Sequence, residues 1–464
     1  MEKPNILFIM ADQFRSDGLG KNGGWAKTPA LDRIAEEGIN FTKCITNSPV
    51  CVPARVSLAT GLYPHNTGVW SHMIYDLPEG TKTWMQELQT AGYRTSIFGK
   101  THLHRHRGDL RDREYLMKSY GFEDIHEIGG PRANMALKSD MTDEWDRKGR
   151  WQPYIADYQE RFANKPYVAR PSVQPLEDYA DVYIAQKAKS YLENYEDTRP
   201  WFCMLSFGGP HEPWDTPEPY ASMYDPDQMP RPIAFPQSTG ERPNGFLDVK
   251  LAEAPYAASL SEREIAELRA NYAGNITLID DQIGAILDSL EQRSILDNTI
   301  IVFTSDHGEM NGDCGLLYKE TFLQSSVSVP LLIRTPETKK AANSGYQYDG
   351  VVELMDIGPT LVELAGGTIR HKQFARSLLP VLQHHLEHTH RDIAISEIRG
   401  EFMLQTSEWK MALNSNGEMY LLFNIQNDPE EQCNLAADPQ FEREASLLKQ
   451  CLLKRIIQTQ VEME

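Results

Sequence analysis

Apolar runs of strand length alternating with capped helices constrain this fold more than any other feature of the chain. "NILFIMA" (residues 5–11) is a near-continuous apolar run, and "TPALDRIAEEG" (28–38) reads as a helix with Thr28 as cap, Pro29 at its first position and Gly38 past its end. The same succession returns three times. "TKTWMQELQTAG" leads into the strand-like "YRTSIFG", "EDYADVYIAQKAKSYLENY" into "PWFCMLSFG", and a helix from about Ser261 to Arg293 into "TIIVFTS". Helices alternating with fully apolar strands predict an α/β fold, with a mostly parallel sheet covered on both faces.

Two stretches break the rhythm: 103 to about 175, rich in Arg, Asp and Pro, and 211 to about 258, with many prolines. Long irregular insertions of this kind form functional rims or lids. After "DIGPTLVELAGG" (356–367) the pattern changes to short strands, "DIAISEI", "EFMLQTS", "WKMALN" and "MYLLFNI", then a last helix from about Glu442. That predicts a small antiparallel sheet carrying one helix. The expected division is a catalytic α/β domain over 1–369 and a C-terminal α+β subdomain over 370–464. The tract "HHLEHTH" (384–390) has metal-binding composition but reads as a solvated boundary segment.

Charge narrows the function. Acidic residues outnumber basic ones 66 to 46, for a net charge of −20, which excludes nucleic acid or an anionic membrane as the main partner. An anionic substrate would need a locally positive pocket. The six cysteines, at 44, 51, 203, 314, 433 and 451, lack disulfide or metal spacing, so no structural disulfide is expected. The opening run ends at Asp12 and has no signal-peptide cleavage site, and no later run approaches a membrane span. The expected location is cytoplasmic, and the "NFT" and "NIT" patterns at Asn40 and Asn275 then read as chance.

"NSPVCVPARVSLATG" (47–61) places Cys51 at the mouth of a short helix, with Pro53 in its first turn and Gly61 past its end. A thiol just before a helix N-terminus feels the positive end of the dipole, and Arg55 lies one turn along. The alternative is a small residue packed beside a turn.

The residues placed near it decide between the two. Asp12 and Gln13 follow the first strand, Lys100 and His102 follow the strand ending at Gly99, His211 follows "FCMLSFGGP", and Asp306 with His307 follows "TIIVFTS". All lie just past carboxyl ends of expected strands, the edge at which open parallel sheets bind ligands. Asp12, Gln13, Asp306 and His307 offer two carboxylates, an amide oxygen and an imidazole, a set suited to calcium, magnesium or manganese. Arg55, Lys100, His102 and His211 add positive charge and proton donors, enough to hold a tetrahedral oxyanion.

"CVPARVSLATG" resembles the signature of the type I sulfatases, in which the cysteine of Cys-x-Pro-x-Arg is oxidised to formylglycine. The likeness covers nearly the whole chain: "NILFIMADQFRSD" is similar to the family's opening metal strand, "FGKTH" to its Gly-Lys-x-His element and "SFGGPHEPW" to its histidine loop. "TSDHGEMNGDCGLLYKE" resembles its second metal segment with a trailing lysine, here Lys319, and "MYLLFNIQNDPEEQCNLA" its C-terminal stretch.

The resemblance implies an alkaline-phosphatase-like α/β fold and hydrolysis of organic sulfate esters of sugar, aryl or choline type. It makes Cys51 the substrate of a formylglycine-generating enzyme and, once modified, both a nucleophile and a ligand of the divalent cation. The hydrated aldehyde has two hydroxyls on one carbon, so one can attack sulfur and the other can later expel sulfate. The family pattern assigns Lys100 and Lys319 to the sulfate oxygens, and Arg55 to the aldehyde. His102 is assigned to the proton whose loss triggers collapse, and His211, with Lys319, to the leaving oxygen. Asp12, Gln13, Asp306 and His307 become ligands of one divalent cation, calcium first, with manganese or magnesium as alternatives. Many sulfatases carry two aspartates where this chain reads Asp12-Gln13. That pair resembles the choline-sulfatase and phosphonate-monoester-hydrolase branch, so hydrolysis of phosphonate monoesters or phosphodiesters is the alternative activity. Trp214 is placed to stack on a sugar or organic cation, or simply to pack, and Arg399 to line the rim.

Overall fold

A computed structural model describes residues 3–71, 75–165, 168–253, 259–340, 344–383 and 389–461. Its strands are β1 (Asn5–Ala11), β2 (Ile39–Ile45), β3 (Arg94–Gly99), β4 (Asp124–Glu127), β5 (Trp201–Phe207), β6 (Gln237–Ser238), β7 (Thr299–Ser305), β8 (Ser328–Val329), β9 (Leu331–Arg334) and β10 (Tyr346–Glu353). A second group follows: β11 (Ala394–Ile398), β12 (Glu401–Gln405), β13 (Trp409–Leu413), β14 (Met419–Asn424) and β15 (Cys433–Asn434).

The main sheet runs β10-β2-β9-β7-β1-β5-β3-β4, with β8 paired to β2. It is mostly parallel, as the alternating pattern predicts. The exceptions are β8, antiparallel to β2, and β9, antiparallel to both β7 and β2. Central strand β1 shows why its sequence is apolar throughout: residues Ile6 to Ala11 are fully buried, because helices cover both faces. The expected helices match closely. Pro29–Glu37 lies between Thr28 and Gly38, and Glu262–Gln292 starts from a capping box made by Ser261 and Glu264.

Register sets the working edge. Ala11 is level with Phe207 on one side and Ser305 on the other, and Gly99 is level with Ser206. The residues after β1, β3, β5 and β7 therefore leave the sheet at one height. A Cβ on Gly99 would collide with the Ser206 carbonyl, so glycine is required where β3 hands over to Lys100.

The small sheet has the order β11-β12-β13-β14, all antiparallel, and the helix Glu442–Gln458 packs on it through Leu448 and Leu452. Its other apolar face meets Ile45 and Val50, the residues leading to the Cys51 helix.

One expectation needs correction. Residues 103–175 are not an irregular rim: they hold helices Glu114–Ser119, Asp140–Arg147 and Trp151–Ala163, besides β4. Charge dominates their composition, yet Trp145, Tyr154 and Tyr158 are buried and pack ring against ring in series. A few large aromatics anchor helices whose other faces are solvated. The 211–258 stretch keeps mostly irregular structure until the helix Phe246–Glu253. Residues 384–388 of the histidine-rich tract lie outside the described residues. Among the described residues no helix is long and apolar enough to cross a membrane.

Candidate active site

Cys51 opens the helix Cys51–Thr60, with Val50 as the extended cap residue; the thiol is thus the first helical residue and not the one before it. Pro53 sits in the first turn, where no backbone donor is lost, and Gly61 ends the helix in the left-handed conformation. Arg55, four residues on, shares a face with Cys51.

Four strand ends deliver their side chains around that thiol. Cys51 Sγ lies 3.0 Å from His307 Nε2 and 3.8 Å from Asp12 Oδ1. Arg55 Nε donates to Asp306 Oδ2 at 2.7 Å, and its two terminal nitrogens donate to Asp12 Oδ2 at 3.0 Å, Ser206 Oγ at 2.9 Å and the Lys100 carbonyl at 2.8 Å. Lys100 Nζ is 2.5 Å from Asp12 Oδ2. Lys319 Nζ donates to Gln13 Oε1 at 2.5 Å and to His211 Nε2 at 2.7 Å. Asp12, Gln13, Asp306 and His307 are all fully buried.

His102 alone among the expected residues stands apart from this network. Its ring meets His106 edge-on at 4.7 Å between centroids, and its Nδ1 is buried without a partner. Gln13 (φ 66°) and His102 (φ 56°) both take left-handed backbone, which costs a non-glycine residue on the order of 1–2 kcal/mol. Such conformations persist where surrounding contacts over-determine them. For Gln13 these are Tyr272, which donates to its carbonyl, and Asp306, which accepts from its N–H.

Electrostatics fix the charge states. Burial opposes ionisation of Asp12 and Asp306, but Lys100 and Arg55 hold Asp12 well below the carboxylate range, and Arg55 lowers Asp306. Burial keeps His307 neutral. Its Nδ1 lies 2.9 Å from the Gly308 carbonyl, which can only accept, so Nε2 carries the lone pair that faces Cys51. Burial, then the charge of Lys100, pushes His102 well below the usual imidazole range. Burial would raise Glu212, yet His211, Lys319 and Lys165 bring it down to about 2. Glu212 Oε2 lies 3.0 Å from His211 Nδ1.

The donor set fits a hard divalent cation. Two carboxylates held ionised and an imidazole Nε2 face one another, with the ligand atoms of Asp12, Cys51, Asp306 and His307 within 4.8 Å, while the Gln13 amide oxygen accepts from Lys319.

Some contacting side chains were not foreseen from sequence. Ser206 accepts from Arg55, Glu212 braces His211, and Glu309 accepts from Gln13 Nε2. Glu212 and Glu309 lie within three residues of expected site residues, and that proximity was the available signal; Ser206 gave none. Trp214 packs: it is 5% exposed and stacks on Tyr318 at 5.8 Å. Arg399 Nη2 lies 3.7 Å from Glu320, the residue after Lys319.

Fold and edge together define a member of the alkaline phosphatase superfamily. The phosphonate monoester hydrolase of Agrobacterium radiobacter superposes with a TM-score of 0.76 and 25% identity, covering 99% of this chain and 96% of that one. Residues 4–367 match the sulfatase family, and the chain belongs to it; residues 312–458 match the N-sulphoglucosamine sulphohydrolase C-terminal family. An arylsulfatase of Clostridium perfringens is 27% identical over 98% of this chain and 94% of its own length. A choline-sulfatase of Rhizobium meliloti is 27% identical over 94% of this chain and 83% of its own. Sulfatases are sulfuric ester hydrolases, and this chain is an enzyme of that class.

Proposed function

We propose that the protein hydrolyses organic sulfate monoesters, R–O–SO3⁻ plus water giving R–OH and hydrogen sulfate, at the Cys51 edge of the main sheet. The observation that carries this reading is the meeting of Cys51 Sγ with His307 Nε2 at 3.0 Å, ringed by Arg55, Lys100 and Lys319. Cys51, converted to formylglycine by a formylglycine-generating enzyme, supplies a hydroxyl nucleophile when hydrated. Asp12, Gln13, Asp306 and His307 would hold a divalent cation, calcium first, with manganese or magnesium as alternatives, supplying Lewis acidity toward sulfate and nucleophile.

The chain's own side chains do the remaining work. Lys100 and Lys319 bind equatorial sulfate oxygens, where charge is spread in the transition state. Arg55 holds Asp12 and Asp306 in place and keeps both ionised. His211 Nδ1 is held at 2.8 Å from the Glu212 carbonyl, so Nε2 points to the leaving oxygen, and the proton shared between Lys319 Nζ and His211 Nε2 passes to it. Neutral His102 accepts the proton whose removal releases sulfate.

A second reading stays tied to Asp12-Gln13 and to the phosphonate monoester hydrolase likeness. A phosphonate monoester is singly charged like a sulfate monoester, so the same cations accept it. Specificity constants for matched aryl sulfate, phosphate and phosphonate esters decide the class on one preparation. Sulfate is expected to lead. A preference for phosphonate, with no sulfate released from sugar, aryl or choline sulfates, refutes the proposal. Mass spectrometry of active protein should show aldehyde at Cys51; thiol alone would refute the formylglycine step.

A further inference from the structure

The wall beside His211 carries positive charge that sulfate binding leaves unused. Lys165 Nζ lies 3.7 Å from Glu212 Oε1, 4.5 Å from the centre of the Tyr318 ring and 4.8 Å from that of Phe162. Arg132 Cζ lies over the Phe162 ring at 4.3 Å from its centre; the residue is exposed and has no carboxylate within ion-pair distance among the described residues. Beside Lys319, whose carbonyl accepts from Lys250, a second wall has Lys250 and Arg399 sharing Glu320 at 3.2 and 3.7 Å. Both walls meet at the Lys319–His211 contact, because Glu212 follows His211 and Glu320 follows Lys319.

Four cations therefore border the leaving-group side against three carboxylates, Glu212, Glu309 and Glu320, of which Glu212 is already engaged with His211 and Glu309 with Gln13. On a chain of net charge −20 this is a local reversal of sign. Such a patch attracts anions and repels cations. An exposed guanidinium supported by an aromatic ring and without a carboxylate partner can donate two parallel hydrogen bonds to a planar anion.

Resting on the sulfatase reading above, we infer that the preferred ester bears a second anionic group on its alcohol part, a carboxylate or a further sulfate, received by Arg132 with Lys165. A quaternary ammonium alcohol meets repulsion at the same wall.

The test compares hexose monosulfates with matching hexuronate monosulfates, sulfate at each ring position, together with hexose disulfates and choline sulfate, on formylglycine-bearing enzyme. The hexuronate or disulfate should exceed its hexose partner in kcat/KM by about tenfold at low salt, mainly through KM. Which of the two leads identifies the second anion. Raising the salt should shrink that ratio. Arg132→Gln should lower it, and Arg132→Glu, exposed and compatible with folding, should bring it to parity or below. Equal constants in the wild type, an unchanged ratio in Arg132→Glu, or choline sulfate as the leading ester each overturn the inference while leaving the sulfatase reading intact. Phosphonate cleavage without sulfate release from any of these esters overturns both.

Discussion

Asp12, Cys51, Asp306 and His307 form one cluster whose ligand atoms all lie within 4.8 Å of one another, and His104, His106 and Glu127 form another. By donor type and spacing either could be taken for a metal centre. They differ in how their charge is closed. Around Cys51 the two carboxylates are met by Arg55 and Lys100, while Lys319 adds a further cation through Gln13 and the His307 lone pair faces the thiol. The second cluster closes on itself: Glu127 accepts from His104 at 2.7 Å, from His106 at 3.1 Å and from Thr101. Burial opposes charge on both partners, yet Glu127 holds His104 above the ordinary imidazole range, and His104 with His106 keeps Glu127 far below the carboxylate range. Convergent donors do not suffice to make a site. A site is left with charge and lone pairs that a ligand completes, whereas in the second cluster the Glu127 carboxylate is already matched by His104, His106 and Thr101, and only His106 Nδ1 stays without a partner.

The largest effect expected from that contrast is on turnover. Cys51→Ala should lower kcat by about 10⁴-fold or more with the fold retained, since a nucleophile's loss is not shared out among its neighbours. Glu127→Gln should retain far more turnover than Cys51→Ala. Steady-state kinetics alongside circular dichroism check the pair. Equal loss in two folded variants would place both clusters in the chemistry and break the comparison.

Metal content separates the clusters next. Asp306→Asn should weaken cation binding by about 100-fold or more, and Gln13→Asn by less, because only the first removes a charge. Competition with a chelator of known affinity reads this directly. Loss of the cation in His104→Ala, with Asp306→Asn unaffected, would assign the metal to the other cluster. Stripping the cation altogether should abolish turnover, and single-metal restoration should name it.

Stability should show the reverse ranking. Glu127→Gln leaves buried partners of a charged hydrogen-bonded group unmatched, for a loss of about 2–3 kcal/mol in urea unfolding. The smallest effect is the pH dependence of that loss. A lowered carboxylate stabilises above its ordinary value of 4.5 and ceases to as pH falls through its folded value. A raised imidazole stabilises below its ordinary value of 6.5 and ceases to as pH rises through its folded value. The gap between wild type and Glu127→Gln should thus be widest between the two ordinary values and shrink above the raised His104 value. A gap constant across that range would mean the pair is not ionised.

Much of this was legible from local patterns. Strands β1, β3, β5 and β7 are apolar runs bounded by turn residues, and sequence alone places them to within a residue or two. Strands β2, β4 and β10 escaped notice, because Asn40, Thr42 and Lys43, or Asp124 and His126, interrupt the apolar pattern where one face is only partly covered. The antiparallel β9 is four residues long and buried, too short to carry a period. Nine of the ten expected site residues are linked by contacts at the sheet edge, while His102 belongs to the neighbouring histidine pair.

By itself, then, the amino-acid order determined which segments become central strands, that a short helix carries Arg55 beside Cys51 and which reactive side chains leave the strand ends, since apolar period, caps and prolines act over a few residues. Tertiary structure alone decided that Ser206 and Glu309 enter the network, that Trp214 is a packing residue, and that Arg132 and Lys165 gather beside His211. These facts depend on the register of β1, β3, β5 and β7 and on helices folded from the charged 103–175 stretch. Register and packing are set by contacts between residues a hundred or more positions apart, and no local pattern records them.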